Sequence, residues 1–376
     1  MIGDLRIAII GAGIGGLTAA AALSRFGASV NIFEQADKFS RIGAGIQMSP
    51  NAMKVLYGLG LEKQVCKVAF QPRTWNNRTW DTGEVKFELT LGSSAIEKYG
   101  APYLQMHRGD LHSALLSVVS ADIISMNKQL VDVVPRAVGF QLNFTDGTDF
   151  EADLVVGADG IHSRVREIII DTEPPTATGR VAYRATFPVS RLQFLVGECT
   201  KWWGDDRHIV IYYVTARKDE VYFVTSLPDK IWAHESYSAT GDMNLVREAF
   251  ADFHDDVNEV LRACPVVLRW AILERKPLLN WSRGNIVLIG DAAHPMTPYM
   301  AQGAAMAMED SVILARAFQS DTGINAALTV FERTRKARTA QVQAISHANT
   351  WMKEETDPAW CYGYDPWIEP LAPLRE

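Results

Sequence analysis

The chain has 376 residues, of which 48% are apolar and 22% charged, and a formal net charge of −7. That balance excludes disordered, collagenous and coiled-coil architectures and leaves room for two or three domains, or one large α/β unit with an insertion. No basic run occurs anywhere, so nucleic acid and an anionic membrane surface are poor partners.

The four cysteines, Cys66, Cys199, Cys264 and Cys361, lie far apart without Cys-x-x-Cys or paired-histidine spacing. Neither a disulfide framework nor a metal site is expected, and a reducing cytoplasm fits. Ile7 to Leu23 is almost wholly apolar, but it is interrupted by glycines and lacks the basic flank and cleavage site of a signal peptide. Nothing else approaches the ~18 apolar residues of a membrane span.

Arg6 to Ile10 predicts a strand and Leu17 to Phe26 a helix, with Gly11-x-Gly13-x-x-Gly16 between them. Gly11 suits the tight turn, Gly13 the approach of a pyrophosphate to the backbone, and Gly16 the close packing of helix on strand. Ile14 and Gly15, within the same turn, are further cofactor candidates, and the helix amino terminus that follows offers unpaired N–H groups and a dipole that favour phosphate. A second strand, Ser29 to Phe33, ends at Glu34 and Gln35, where an acid eighteen residues past Gly16 can accept from a ribose 2′-hydroxyl. An acid there favours FAD or NAD over NADP. The alternative, a glycine-rich turn without a ligand, is disfavoured by the flanking strand, helix, second strand and acid.

Two further segments distinguish the cofactors. Leu154 to Arg166, containing Gly157-Ala158-Asp159-Gly160, and Asn285 to Pro295, containing Gly290-Asp291, are both buried-strand text running into small-residue turns. With the first fingerprint, in this order, they resemble the flavin boxes of the class A flavin-dependent aromatic hydroxylases, in particular the salicylate hydroxylase group. Further shared text is Lys201 to His208, Tyr212-Tyr213, Met300 to Ala304, and Asn349 to Asp365. The resemblance implies a tightly bound FAD. Asp159, Asp291 (on the ribityl chain), Pro295, Gly303 and Ala304 would line it, together with Arg41, Gly45, Arg108 and Leu130. It also implies that the amino terminus of a helix over Ala305 to Phe318 stabilises negative charge on the reduced flavin, although many relatives carry asparagine in place of Ala305. Only one dinucleotide fingerprint is present, so NADH or NADPH would dock transiently, with O2 as the other co-substrate.

Between these boxes the text turns aromatic and β-branched: Arg180 to Phe187, Arg207 to Val214 and Glu220 to Thr225, with a hairpin from Arg73 to Phe87 turning at Asp81 to Gly83. The expected architecture is α/β: a doubly wound, Rossmann-like FAD-binding domain (1–72, 101–178 and 275–340) with an inserted mixed or antiparallel β-sheet substrate domain (73–100 and 179–274). A C-terminal helical packing segment would follow (341–376). Residues four apart on a strand share a face, so His208 and Tyr212 would point together into a pocket under the sheet, with Tyr183 and Trp202 in the same chamber. His208 is either a satisfied structural histidine or a proton handler. His107 and His112 read as structural, Asp110 as a helix cap, and the charged run Glu332 to Arg338 as a solvated helix face.

The resemblance further implies ring hydroxylation of a phenol-like or hydroxypyridine carboxylate, of the 6-hydroxynicotinate or salicylate type, with loss of the carboxylate as CO2. His208 would act as base and Tyr212 as relay or orienting donor. Gln47 and Tyr299 stand where hydroxynicotinate-hydroxylating members are expected to place substrate-contacting histidines, so both are candidate substrate contacts. A monomer or homodimer is expected. The competing readings are a flavoprotein oxidoreductase without ring hydroxylation and a non-enzymatic flavin-binding redox module.

Overall fold

The structure, a computed structural model, describes residues 2–41, 44–170, 173–229, 239–319 and 323–374. Ile42 and Gly43, beside Arg41, lie outside them.

The β-branched strand Arg6–Ile10 forms the centre of a six-stranded sheet, parallel to Ser29–Phe33 on one side and to Leu154–Gly157 on the other. Ile286–Leu288 extends it in parallel, Ser282–Arg283 adds an antiparallel edge, and Ile124–Ser125 closes the far side. The three segments read as flavin-binding text thus become three strands of one sheet. Their carboxyl ends, and the turns that follow, open at one edge, where such sheets hold nucleotides. Helix Ile14–Arg25 packs against helix Gly303–Ala317 closely enough that a Cβ on Gly15 would lie 3.3 Å from that of Ala307.

The second large sheet has eight strands in the order Thr240–Gly241, Val267–Glu274, Thr176–Pro188, Glu220–Pro228, His208–Tyr213, Cys199–Trp203, Thr74–Thr79 and Val85–Thr90. All pairs are antiparallel except Cys199–Trp203 with Thr74–Thr79, which makes the sheet mixed. The hairpin read at 73–87 therefore joins the strands read at 180–225, although nearly a hundred residues separate them. The sheet is covered on both faces. Residues 209, 211 and 213 face an outer layer formed with helices Met243–Ala249 and Asp255–Ala263, whereas 210 and 212 face the nucleotide-binding core.

Two expectations fail here. The boundary at 341 falls inside a single helix, Ile324–Ala348. The charged run within that helix is also only partly solvated: Arg333 is exposed, but Arg335, fully shielded from solvent, pairs with Asp310 and Glu309 at 2.7 Å each, and Arg338 pairs with Glu309 at 2.7 Å. Two adjacent acids on the otherwise apolar helix Gly303–Ala317 supply the counter-charges that let guanidinium groups leave water. After the long helix, Trp351 and Tyr362 are buried and Trp367 Nε1 donates to the Lys54 carbonyl, so the aromatic C-terminal stretch packs on the body of the protein.

Candidate active site

The nucleotide end of the site follows from the glycines. Gly11 has φ +101°, and a Cβ there would lie 2.6 Å from the Ala158 carbonyl oxygen. A Cβ on Gly16 would lie 1.9 Å from the Gly11 oxygen, so strand and helix meet without space for a side chain. At Gly13, by contrast, a Cβ would meet nothing within 4 Å: the backbone before helix Ile14–Arg25 opens onto free space. Glu34 Oε2 accepts from Ala12 N at 2.8 Å and Oε1 from Ala36 N at 2.9 Å, which anchors the acid beside that opening, next to the exposed Gln35.

Asp291 lies on a short turn, Gly290–Ala292, after strand Ile286–Leu288. Its carboxyl is open to solvent yet deep among protein atoms, as befits a group in the wall of a trough. That depth raises its pKa, while His294 and Arg108 oppose the rise. It lies beside the amino terminus of helix Gly303–Ala317, 3.9 Å from a Cβ placed on Gly303, with Pro295 and Ala304 nearby in the chain. The turn is pinned from behind: Asp310 Oδ2 accepts from Gly290 N at 2.9 Å and meets His294 Nε2 at 2.5 Å. Its carboxyl is held down to about 2 by His294 and Arg335 against the effect of burial. The buried Arg166 donates to the Ala292 and Ala293 carbonyls at 3.1 and 3.3 Å and so ties the Asp159 box to the Asp291 box.

The other flavin-side candidates differ in their freedom. Asp159 accepts from Ser163 Oγ at 2.5 Å and Val165 N at 3.1 Å, so its carboxylate holds its own turn. Arg41 is engaged by Asp110 and Glu220, each at 3.2 Å, bridging the nucleotide-binding part to the eight-stranded sheet. Arg108 is exposed and has no partner among the described residues. His107, rather than Asp110, caps the helix Arg108–Leu116, with Nδ1 accepting from Gly109 N at 3.0 Å. His112 meets the Ala12 carbonyl at 2.8 Å, a structural role as expected. Leu130 is buried at the start of strand Leu130–Pro135. Gly45 lies under the Tyr222 ring, 2.5 Å from an added Cβ. The open backbone at Gly13, the free guanidinium of Arg108, the accessible carboxyl of Asp291 and two helix amino termini form a cradle that fits FAD.

The substrate end lies on the inner face of the eight-stranded sheet. Cross-strand register puts His208 opposite Trp203 and Ser226, Val210 opposite Lys201 and Val224, and Tyr212 opposite Cys199 and Tyr222. His208 and Tyr212 therefore share the face, as the spacing predicts. His208 is 5% exposed and has no hydrogen-bond partner among the described residues. Its ring lies 5.3 Å from Trp203 and 5.4 Å from Tyr299. Burial, with Lys201 and Arg180 adding positive charge, pushes its pKa well below the usual histidine range. Tyr212 is raised well above the ordinary phenol range by burial and remains protonated. Opposite the sheet, Tyr299 OH lies 3.0 Å from Ser226 Oγ, and the buried Gln47 accepts from Tyr103 OH at 2.6 Å and faces Cys199 Sγ at 3.8 Å.

Tyr183 and Trp202 do not join this chamber. Both belong to the outer layer: Trp202 stacks on His254 at 5.0 Å with Arg78 5.5 Å from its ring, and Tyr183 packs on Gly241 and Val267. The reason is parity. Trp203 pairs with His208 across the Gly204-to-Arg207 turn, so Trp203 and Lys201 point inward and Trp202 points away. Lys201, Trp203 and Ser226 on the inner face, and Tyr103 at Gln47, are candidates that motif reasoning missed. A charged residue inside the aromatic strand Cys199–Trp203 was the available signal.

A family model described as an FAD binding domain matches residues 4–346. The 6-hydroxynicotinate 3-monooxygenase of Bordetella bronchiseptica is 44% identical over 382 residues, covering 100% of this chain and 99% of its own length. That of Pseudomonas fluorescens is 43% identical, covering 97% and 96%. Among solved structures, HpxO of Klebsiella pneumoniae complexed with FAD and uric acid superposes with a TM-score of 0.84 at 26% identity, covering 96% of this chain and 92% of that one.

Proposed function

Because the chain belongs to the FAD binding domain family, matched from residue 4 to 346, and aligns end to end with flavin-dependent ring monooxygenases, its activity is FAD-dependent hydroxylation of an aromatic ring; we propose that the ring is a hydroxylated pyridine or benzene carboxylate. The single observation that carries the substrate class is the inner face of the sheet, where a buried histidine, its pKa pushed down by burial and its ring without a hydrogen bond among the described residues, stands among aromatic side chains. When bound, FAD supplies acceptance of hydride from NADH or NADPH and activation of O2.

The chain's own residues bind, orient and move one proton. Arg108, Asp291 and the two helix amino termini hold the anionic and polyol parts of the cofactor. His208 accepts the proton of the ring hydroxyl, because an imidazole kept neutral by its surroundings is ready to take one and an ionised ring is the stronger nucleophile. Tyr212, with its proton firmly held, donates to the substrate rather than accepting from it. Gln47 and Tyr299 face the ring from the side opposite the sheet. Enclosure by Trp203, Tyr222 and Val224 keeps water from the reacting centre. When the attacked carbon bears the carboxylate, that group leaves as CO2.

This reading treats residues 73–100 and 179–274 as the substrate layer and the remainder as the cofactor layer. NADH oxidation by the FAD-loaded protein with a panel of hydroxylated benzoates and pyridine carboxylates tests it, with hydroxylated product and CO2 quantified. Stimulated oxidation with product is expected from at least one ring acid. Bound FAD with no ring acid stimulating oxidation overturns the reading in favour of a non-catalytic flavin module.

A further inference from the structure

Lys201 is 2% exposed, in the middle of the inward face of strand Cys199–Trp203. Lysine in such a place ordinarily pairs with an acid. Among the described residues it has no ion pair or hydrogen bond, and no carboxylate contributes to its electrostatic environment. The titratable groups that act on it are the Cys199 thiol and the Lys353 ammonium, and its own charge is felt by His208. Its Nζ lies 3.7 Å from the centre of the Trp203 ring, and the exposed Lys353 approaches the same ring at 5.8 Å. The other polar groups that register places on this face are Ser226 opposite His208, Asn77 opposite Lys201, Tyr212, and Arg180 and Arg184 of the strand Thr176–Pro188, and none of them is an acid. Among the described residues the pocket therefore holds a proton base, cationic side chains and aromatic walls, but nothing negative to satisfy the lysine.

We propose that Lys201 is the anchor for the anionic substituent of the ring substrate, the missing counter-ion being the substrate's own carboxylate. Register fixes the arrangement: Lys201 pairs with Val210 and lies two residues from Trp203, the partner of His208. A ring held by its carboxylate at Lys201 and lying along Trp203 brings its hydroxyl edge towards His208, so anchor and base recognise two groups on one ring. Burial lowers the Lys201 pKa well below the usual lysine range, and a carboxylate beside the amine opposes that lowering, so binding of a ring acid favours proton uptake at Lys201.

The proposal rests on the ring-acid reading above, and the test separates the two. Binding of a ring acid and of the matched phenol or hydroxypyridine lacking the carboxylate is followed by perturbation of the FAD spectrum in the holoenzyme, for wild type, Lys201→Met and Lys201→Arg. The ring acid should weaken by about 10- to 100-fold in Lys201→Met and recover in Lys201→Arg, while the uncharged analogue is unaffected. Calorimetry at pH 8 in two buffers of different ionisation enthalpy should show proton uptake by wild type and by His208→Gln, but none by Lys201→Met. Equal weakening of both ligands, or unchanged selectivity for the acid, overturns the anchor while leaving ring hydroxylation standing. Wild type that binds no ring acid removes both. Should Lys201→Met fail to retain FAD, Lys201→Gln takes its place in the same comparison, and an unchanged preference for the ring acid over the uncharged analogue overturns the anchor.

Discussion

The Tyr299 ring meets the His208 imidazole nearly edge-on, with centroids 5.4 Å apart and planes at 75°. Tyr299 comes from the segment before helix Gly303–Ala317 and His208 from the eight-stranded sheet, so this contact joins the turn after the Asp291 box to that sheet.

His208→Gln should lower kcat about 100-fold while the protein stays yellow, because the base is lost and the flavin cradle is untouched. The sign of the pH effect follows from the depressed pKa. If His208 is the base, it acts when neutral, so wild-type kcat should be flat at and above neutral pH and fall only on the acid side as His208 takes a proton. The variant should lack that acid limb. Stopped-flow or steady-state hydroxylation across pH 5 to 9 checks this, and equal profiles for both proteins would remove the base assignment.

Gln47 and Tyr299 approach the inner face of the sheet from outside it, at Cys199 and at Ser226 and His208 respectively. Replacing both with histidine should shift relative kcat/KM towards 6-hydroxynicotinate by about tenfold against hydroxybenzoates, because each substitution changes which ring edge finds a partner. An unchanged ranking across the panel would show that neither side chain reads the ring.

Gly13 and Gly16 belong to one motif but do different work. Gly13→Ala should leave the unfolding midpoint of the apoprotein unchanged and weaken FAD about tenfold, since its Cβ enters open space on the phosphate side. Gly16→Ala should destabilise the apoprotein itself by about 1–3 kcal/mol, since its Cβ falls on the Gly11 carbonyl. Chemical unfolding without FAD, together with flavin titration, separates the two.

Arg335→Met should destabilise the fold by about 3–5 kcal/mol, because Asp310 and Glu309 lose a buried counter-charge. The loss should also reach the cofactor: Asp310 holds Gly290 and His294 on either side of Asp291, so weaker FAD retention is expected alongside the lower Tm. Normal FAD affinity in a destabilised variant would confine the network to a structural role.

The nucleotide half was legible because its signal is local: glycine spacing, a β-branched run and a terminal acid lie within thirty residues and need no knowledge of what packs where. His208 and Tyr212 were legible for the same reason, being on one strand. Trp202 was misplaced because its face depends on pairing with another strand: the 203-to-208 register, set by the turn between them, decides which tryptophan enters the pocket. The Glu332-to-Arg338 run was misread as solvated because its partners, Glu309 and Asp310, lie on a different helix. Two neighbouring acids in an apolar helix are in hindsight the other half of that signal.

The C-terminal stretch carries a consequence for biosynthesis. Tyr362 packs at 5.8 Å on Tyr103, whose hydroxyl fixes Gln47, and Arg338 holds the Trp360 and Cys361 carbonyls. Synthesis runs from the amino terminus, so the nucleotide sheet can assemble on the ribosome while the wall bearing Gln47 still lacks its brace. The flavin cradle is in place once the helix Ile324–Ala348 has emerged, but the substrate chamber is braced only after the Trp360-to-Tyr362 segment leaves the exit tunnel, and a chain cut just after Ala348 would be coloured yet indiscriminate.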